Sequence, residues 1–316
     1  VSGLLLGALA WRADWAQLRA AVAGLDPLVW LAAAALYVST LLVSSYRWQL
    51  MARPLGFDLG WRRFAGLFYV GVYFNLMLPT SVGGDVVRAW QLGGPGRRSA
   101  ALLSVLVERG SGLLVLLLLA VAATLGSPRA LEPWVVGGVM TLAGCAAAGL
   151  VGVTVAGRLT RRWPRPGSRL GRLRAEGAEA WRVYSRRPGL VAGATGLSLF
   201  VQGMNVVVVW VIDRALGVGV PVSYYAIAVP VVTLLTLLPV SVNGMGVRET
   251  AMGLMLGPVG VAPTLAGSLA FLWFCVQVAA GLTGGVIYLC GRYAPPPASE
   301  SPPVEGAVER AARRAA

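Results

Sequence analysis

Six charges stand in stretches otherwise too apolar to hold them: Asp85, Arg88, Glu108, Arg109, Arg248 and Glu249. Three acids thus meet three arginines. Each would cost roughly 2.5–3.5 kcal/mol at the centre of a lipid-exposed helix, so they must face an interior and interact there. Asp85 and Arg88 are three residues apart and can share a helix face. Glu108 and Arg109 are neighbours and point about 100° apart on a helix, so each needs a different partner. Arginine keeps its charge and presents a planar fork of donors that fits phosphate and carboxylate. The chemistry on offer is anion binding.

Arg88 and Arg248 come in related settings. Leu78-Pro79-Thr80-Ser81-Val82-Gly83-Gly84-Asp85-Val86-Val87-Arg88 is echoed 160 residues later by Leu238-Pro239-Val240-Ser241-Val242-Asn243-Gly244-Met245-Gly246-Val247-Arg248. Arg53-x-Leu55-Gly56 is echoed by Arg214-x-Leu216-Gly217, one residue out of register. Thr80, Ser81, Gly83 and Gly84 lead into the helix of Arg88, as Ser241, Asn243 and Gly244 lead into that of Arg248. Free backbone N–H groups at such helix starts attract anions. Two readings are open for these charges: ion pairs that lock the broken segments, or contacts to a bound anion. For Arg88 and Arg248 the Gly-rich approaches, which leave room for a ligand, favour the second. Glu108 and Arg109 suit either.

The elements that must position these residues are membrane helices. The 316 residues are 57% hydrophobic and only 13% charged. Several apolar runs exceed the ~20 residues that cross a bilayer. Spans are expected at about 27–51, 99–125, 134–156, 189–212 and 263–290, with the tail of an earlier span before residue 11 and an amphipathic surface helix over 11–25. A second surface helix is expected within 158–188, and residues 293–316 read as a disordered tail. The chain to residue 292 reads as one domain, with repeats over about 27–125 and 189–291. Arg47, near the end of its span in Tyr46-Arg47-Trp48, is expected to snorkel to the interface.

All 27 basic residues are Arg, and there is no His. Nineteen Arg fall in 52–63, 93–98, 158–188 and the segment from Arg292 onward, against four in the alternate connections, which makes the Arg-rich side cytoplasmic by the positive-inside rule. Both segments around the first Pro–Gly break then return inside, and both around the second return outside. Each break is expected to be a re-entrant hairpin. Three full spans lie between the breaks, an odd number, so the repeats have opposite topology. Inverted repeats with broken helices near the midplane are a transporter signature.

Other chemistries are poorly supplied. Lack of His removes the commonest metal ligand and general base. Cys145, Cys275 and Cys290 lie in apolar runs at spacings that suit no metal site. No catalytic residue, metal or cofactor is expected. The net charge of +14 reflects topology rather than nucleic acid.

The motifs Phe74-Asn75-Leu76-x-Leu78-Pro79-x-Ser81-x-Gly83-Gly84-Asp85-x-x-Arg88, Glu108-Arg109 and Leu238-Pro239-x-Ser241-x-Asn243-Gly244-x-Gly246-x-Arg248-Glu249 resemble the lysylphosphatidylglycerol synthetase transmembrane-region family of flippase-like membrane proteins. The resemblance covers nearly all of residues 1–292 and implies a lipid flippase fold. In some relatives this domain moves a lipid modified by an attached soluble enzyme, and no aminoacyl transfer is expected of the present sequence. The resulting expectation is an all-α polytopic protein of the bacterial inner membrane, not an enzyme, that binds an anionic lipid headgroup. Its site would comprise Asn75, Thr80, Ser81, Gly83, Gly84, Asp85, Arg88, Glu108, Arg109, Ser241, Asn243, Gly244, Arg248 and Glu249. Expected partners are membrane lipids, either an anionic phospholipid or a lipid-linked headgroup. A second copy of the chain and a separate lipid-modifying enzyme are further candidates. The competing functions are a membrane transferase acting on a lipid-linked donor, disfavoured by the lack of His and of an Asp-x-Asp pair, and a non-catalytic lipid-binding partner of another enzyme.

Overall fold

The computed structural model describes residues 26–78, 82–94, 97–126, 133, 136–145, 148, 182–237 and 242–291. Eight principal helices run through them: α1 Pro27–Ala52, α2 Trp61–Met77, α3 Gly83–Gly93, α4 Arg98–Gly126, α5 Pro188–Leu216, α6 Val222–Thr236, α7 Val247–Leu256 and α8 Pro263–Cys290. No strand occurs among the described residues. α4, α5, α8 and α1 with its 3-10 extension are each 28 or 29 residues long and apolar enough to cross a membrane. The protein is an all-α, multi-pass membrane protein. Expected spans at 27–51, 99–125, 189–212 and 263–290 correspond to α1, α4, α5 and α8. Of the span expected at 134–156, the helix Val136–Cys145 is described. The segments expected at 1–25, the surface helix within 158–188 up to residue 181, and the tail beyond residue 291 lie outside the described residues.

The helix ends follow from local chemistry. Asp26 Oδ1 accepts the Leu28 amide at 2.9 Å and Pro27 fills the first helical position of α1. α1 continues through a 3-10 turn, Arg53–Leu55, to Gly56 at φ 84°, and α5 stops at Gly217 at φ 67°. Both glycines are left-handed, which costs them no Cβ clash. Beyond them, the Phe57 amide reaches back to Ala52 O and the Val218 amide to Asp213 O, in the same C-terminal motif. The Arg-x-Leu-Gly echo in the sequence is therefore a shared helix stop. α2 ends at Leu78, whose extended φ −87°, ψ 144° is what a residue before proline must adopt.

Two large apolar cores and a small third cluster, Met51, Tyr184 and Ala194, form among the described residues. One joins Leu41 and Trp48 of α1 to Phe64, Leu67 and Phe68 of α2, Leu92 of α3 and Val105 of α4. The other joins Val209 and Ile212 of α5 to Tyr225 and Val229 of α6, Met252 and Leu256 of α7 and Leu269 of α8. Between the halves α1 packs on α5, α2 on α8, and α6 on α4. The α2–α8 contact is close. Side-chain carbons placed on Gly281 or Gly284 would collide with Leu76 or with the Tyr69 carbonyl, so small residues let these helices touch backbone to side chain.

Candidate functional site

The buried charges of the first half form one network. Glu108 and Arg88 are each 3% exposed, Asp85 is 3% and Arg47 is 6%. Arg88 Nη2 donates to Glu108 Oε2 at 2.9 Å, and its Nε donates to Asp85 Oδ1 at 3.0 Å. Arg47 Nη2 pairs with Glu108 Oε1, and Arg47 Nη1 donates to Ser198 Oγ of α5 at 2.5 Å. Arg109 Nε pairs with Asp85 Oδ2. Each carboxylate thus bridges two arginines, one oxygen apiece, and the network ties α1, α3, α4 and α5 together. Adjacent Glu108 and Arg109 do take separate partners, as their angular separation requires.

Arg47 corrects an expectation. It does not snorkel: it is buried, its guanidinium lies against Gly112 of α4, and a Cβ there would sit 3.3 Å from Nη1. The reason is Glu108, whose second oxygen would otherwise be stranded in low dielectric. Spacing in the sequence could not show this, because the two residues are 61 positions apart.

Aromatic rings complete the surroundings of Arg88. Its Cζ lies 4.7 Å from the Trp48 ring centroid and 4.8 Å from that of Phe68. Trp48 is fixed by its indole N–H on Ser104 Oγ at 3.1 Å and by edge contact with Phe64 at 4.9 Å. α3, which carries Arg88, is tied to α2 by Asn75, whose Oδ1 accepts the Gly84 amide at 2.7 Å. A Cβ on Gly84 would collide with the Gly71 carbonyl oxygen. Asn75 and Gly84 therefore hold α2 against α3, and Gly83 opens α3.

Arg248 has a different environment. It is 5% exposed, and its Nε and Nη1 are buried without a hydrogen-bond partner among the described residues. Its Cζ lies 5.2 Å from the Trp273 ring and 5.3 Å from that of Phe274. The neighbouring carboxylate is occupied elsewhere: Glu249 Oε2 accepts the Gly246 amide at 2.7 Å and caps its own helix. Asn243 at φ 51°, Gly244 at φ 74° and Gly246 at φ 81° make the left-handed turn that brings Arg248 inward. Trp273 stands ten residues into α8, as Glu108 stands ten residues into α4. Where one half places Glu108-Arg109, the other places Trp273-Phe274. That correspondence was present in the sequence and was the available signal for both rings. Thr80, Ser81 and Ser241 lie outside the described residues.

Among the described residues the buried charges balance, Arg47, Arg88 and Arg248 against Asp85, Glu108 and Asp213, but Asp213 lies near the C-terminus of α5, where it accepts from the Tyr225 hydroxyl at 2.9 Å. No group of three or more His, Cys, Asp or Glu suited to a metal occurs among them.

Fold and site together define a polytopic α-helical membrane protein with a buried arginine–carboxylate network and, among the described residues, one buried arginine without a carboxylate pair. Residues 1–285 match the family model described as the lysylphosphatidylglycerol synthase TM region, and the chain belongs to that family. A search of curated proteins found no match.

Proposed function

We propose that this protein is a lipid flippase that binds an anionic lipid headgroup between two re-entrant hairpins, α2–α3 and α6–α7. The observation that carries the reading is Arg248, a buried guanidinium with two nitrogens unpartnered among the described residues and aromatic faces beside it. A buried charge without a counter-charge costs several kcal/mol. One phosphodiester would supply that counter-charge at Arg248. The planar fork of Arg and the apolar walls of Trp273 and Phe274 suit a headgroup with a glycerol backbone behind it.

The inverted repeat and the hairpins belong to the same reading. Exchanging α1–α4 for α5–α8 maps the principal packing pairs onto one another: α1 on α5 maps to itself, and α2 on α8 becomes α6 on α4. That is the pattern a pseudo-two-fold axis produces, and the odd number of spans between the motifs makes it lie in the membrane plane. Such an axis passes near the substrate site in transporters of this construction. In this reading the Arg-rich side, with 158–188 and the tail, faces the cytoplasm from a bacterial inner membrane, as the positive-inside rule favours.

The test is leaflet accessibility of labelled phosphatidylglycerol in proteoliposomes at matched protein content. Wild type should move it, and Arg248→Ala should not. Wild-type rates in Arg248→Ala and Arg248→Lys would refute the anion site.

A further inference from the structure

Resting on that reading, we propose that the seam between α3 and α4 is the lateral route by which an anionic phospholipid of the leaflet on the Arg-rich side reaches the interior, with Arg109 exchanging Asp85 for the lipid phosphate. Arg109 is unlike the rest of the buried network. Its side chain is 37% exposed, while that of its partner Asp85 is 4% exposed. It stands on a face of α4 that otherwise suits hydrocarbon, where Leu106 is 55% exposed. The facing helix α3 turns out Val82, Val86 and Trp90, each just over half exposed and spaced one turn apart. A charge open to the lipid face at this depth marks a path for polar groups.

A second arginine gives the route its outer end. Arg98 opens α4, is exposed, and stacks on Trp90 at 4.6 Å from the ring centroid. Trp and Arg together mark the headgroup level. Arg98 and Arg109 are eleven residues apart, a net rotation of roughly 20° and a rise of roughly 16 Å. They therefore lie on one face, the first at the interface and the second near the bilayer centre. Beyond Arg109 the chain of contacts continues inward through Asp85 to Arg88. The occupant must be anionic and amphipathic: its phosphate follows the two arginines while its chains stay against Val86 and Leu106. The second half has no such ladder. The corresponding positions of α8 are Pro263 and Phe274, so the route serves one leaflet.

Photocrosslinking from benzoylphenylalanine at Leu106 tests this in phosphatidylcholine vesicles. The vesicles carry a radiolabelled trace of either phosphatidylglycerol or phosphatidylcholine. Phosphatidylglycerol should be captured about fivefold more, the preference expected of one arginine–anionic lipid contact. Arg109→Gln should remove most of that preference, and Arg109→Lys should keep most of it. Arg109→Gln also removes a partner of Asp85, so Arg98→Gln is the second variant, at an exposed position that pairs with no buried carboxylate among the described residues. It should lower the preference as well. Equal capture of both lipids by wild type, or an unchanged preference in both Gln variants, would overturn the route. Translocation by wild type is measured in the same vesicles. Capture without translocation sinks the flippase reading and leaves the seam, whereas translocation without preferential capture sinks the seam alone.

Discussion

Arg88 and Arg248 hold the same place in the two copies of the Pro–Gly motif, yet among the described residues only Arg88 pairs with carboxylates. Asp85 and Glu108 take Arg88 within 3.0 Å, while the carboxylate beside Arg248 caps the Gly246 amide instead. Both arginines meet two aromatic rings, so the difference is electrostatic. Among the described residues, Arg88 has two carboxylates on its guanidinium and Arg248 has none.

This asymmetry separates stability from transport. Arg248→Lys and Arg248→Ala are expected to leave thermal stability in detergent near wild type, because no described carboxylate loses its partner. Translocation should fall about tenfold or more, the loss of one charge-assisted hydrogen bond. Arg88→Ala should instead destabilise by roughly 3 kcal/mol, since Asp85 and Glu108 each lose one of their two buried arginines. Equal destabilisation of the Arg88 and Arg248 variants in a thermal melt would show that the two sites are alike after all.

Glu108 bridges Arg47 and Arg88, so Glu108→Gln leaves two guanidiniums short of a counter-charge. A loss of roughly 3–5 kcal/mol is expected. Adding Arg47→Gln should recover part of it, because the double variant removes both ends of one pair. Additive losses in the thermal stability of the singles and the double would contradict the direct pairing.

The glycines at the close approaches tolerate no side chain. Gly84→Ala sets a Cβ against the Gly71 carbonyl, and Gly284→Ala sets one against the Tyr69 carbonyl. Backbone must move in each, at a cost of about 1–3 kcal/mol or more. Gly110→Ala, with nothing within 4 Å of the added carbon, is the control and should melt like wild type. A common melting temperature for the three variants would show that these helices are not in contact as described.

Orientation is open to single-cysteine labelling in a chain with Cys145, Cys275 and Cys290 replaced. Cysteines placed in 158–188 should resist an impermeant reagent applied to whole cells and react after lysis. Labelling from outside would invert the topology and with it the leaflet served by the α3–α4 seam.

The sequence by itself determined the class of the protein and the bounds of its long helices. Apolar length is a local property, and Pro27, Pro188, Pro263, Gly56 and Gly217 punctuate the chain where α1, α5 and α8 begin and where α1 and α5 end. It also determined that Glu108 and Arg109 could not pair with each other, because adjacent residues diverge on any helix. Partner choice was another matter. Position near a helix end made Arg47 look like an interfacial anchor, and motif equivalence made Arg88 and Arg248 look alike. Only the tertiary structure set Arg47 against Glu108, Arg109 against Asp85, and Arg248 against Trp273 and Phe274. The physical reason is the absence of water in the interior. There a charge takes whichever opposite group packing brings within about 3 Å, and packing is decided by helices that are distant in the chain.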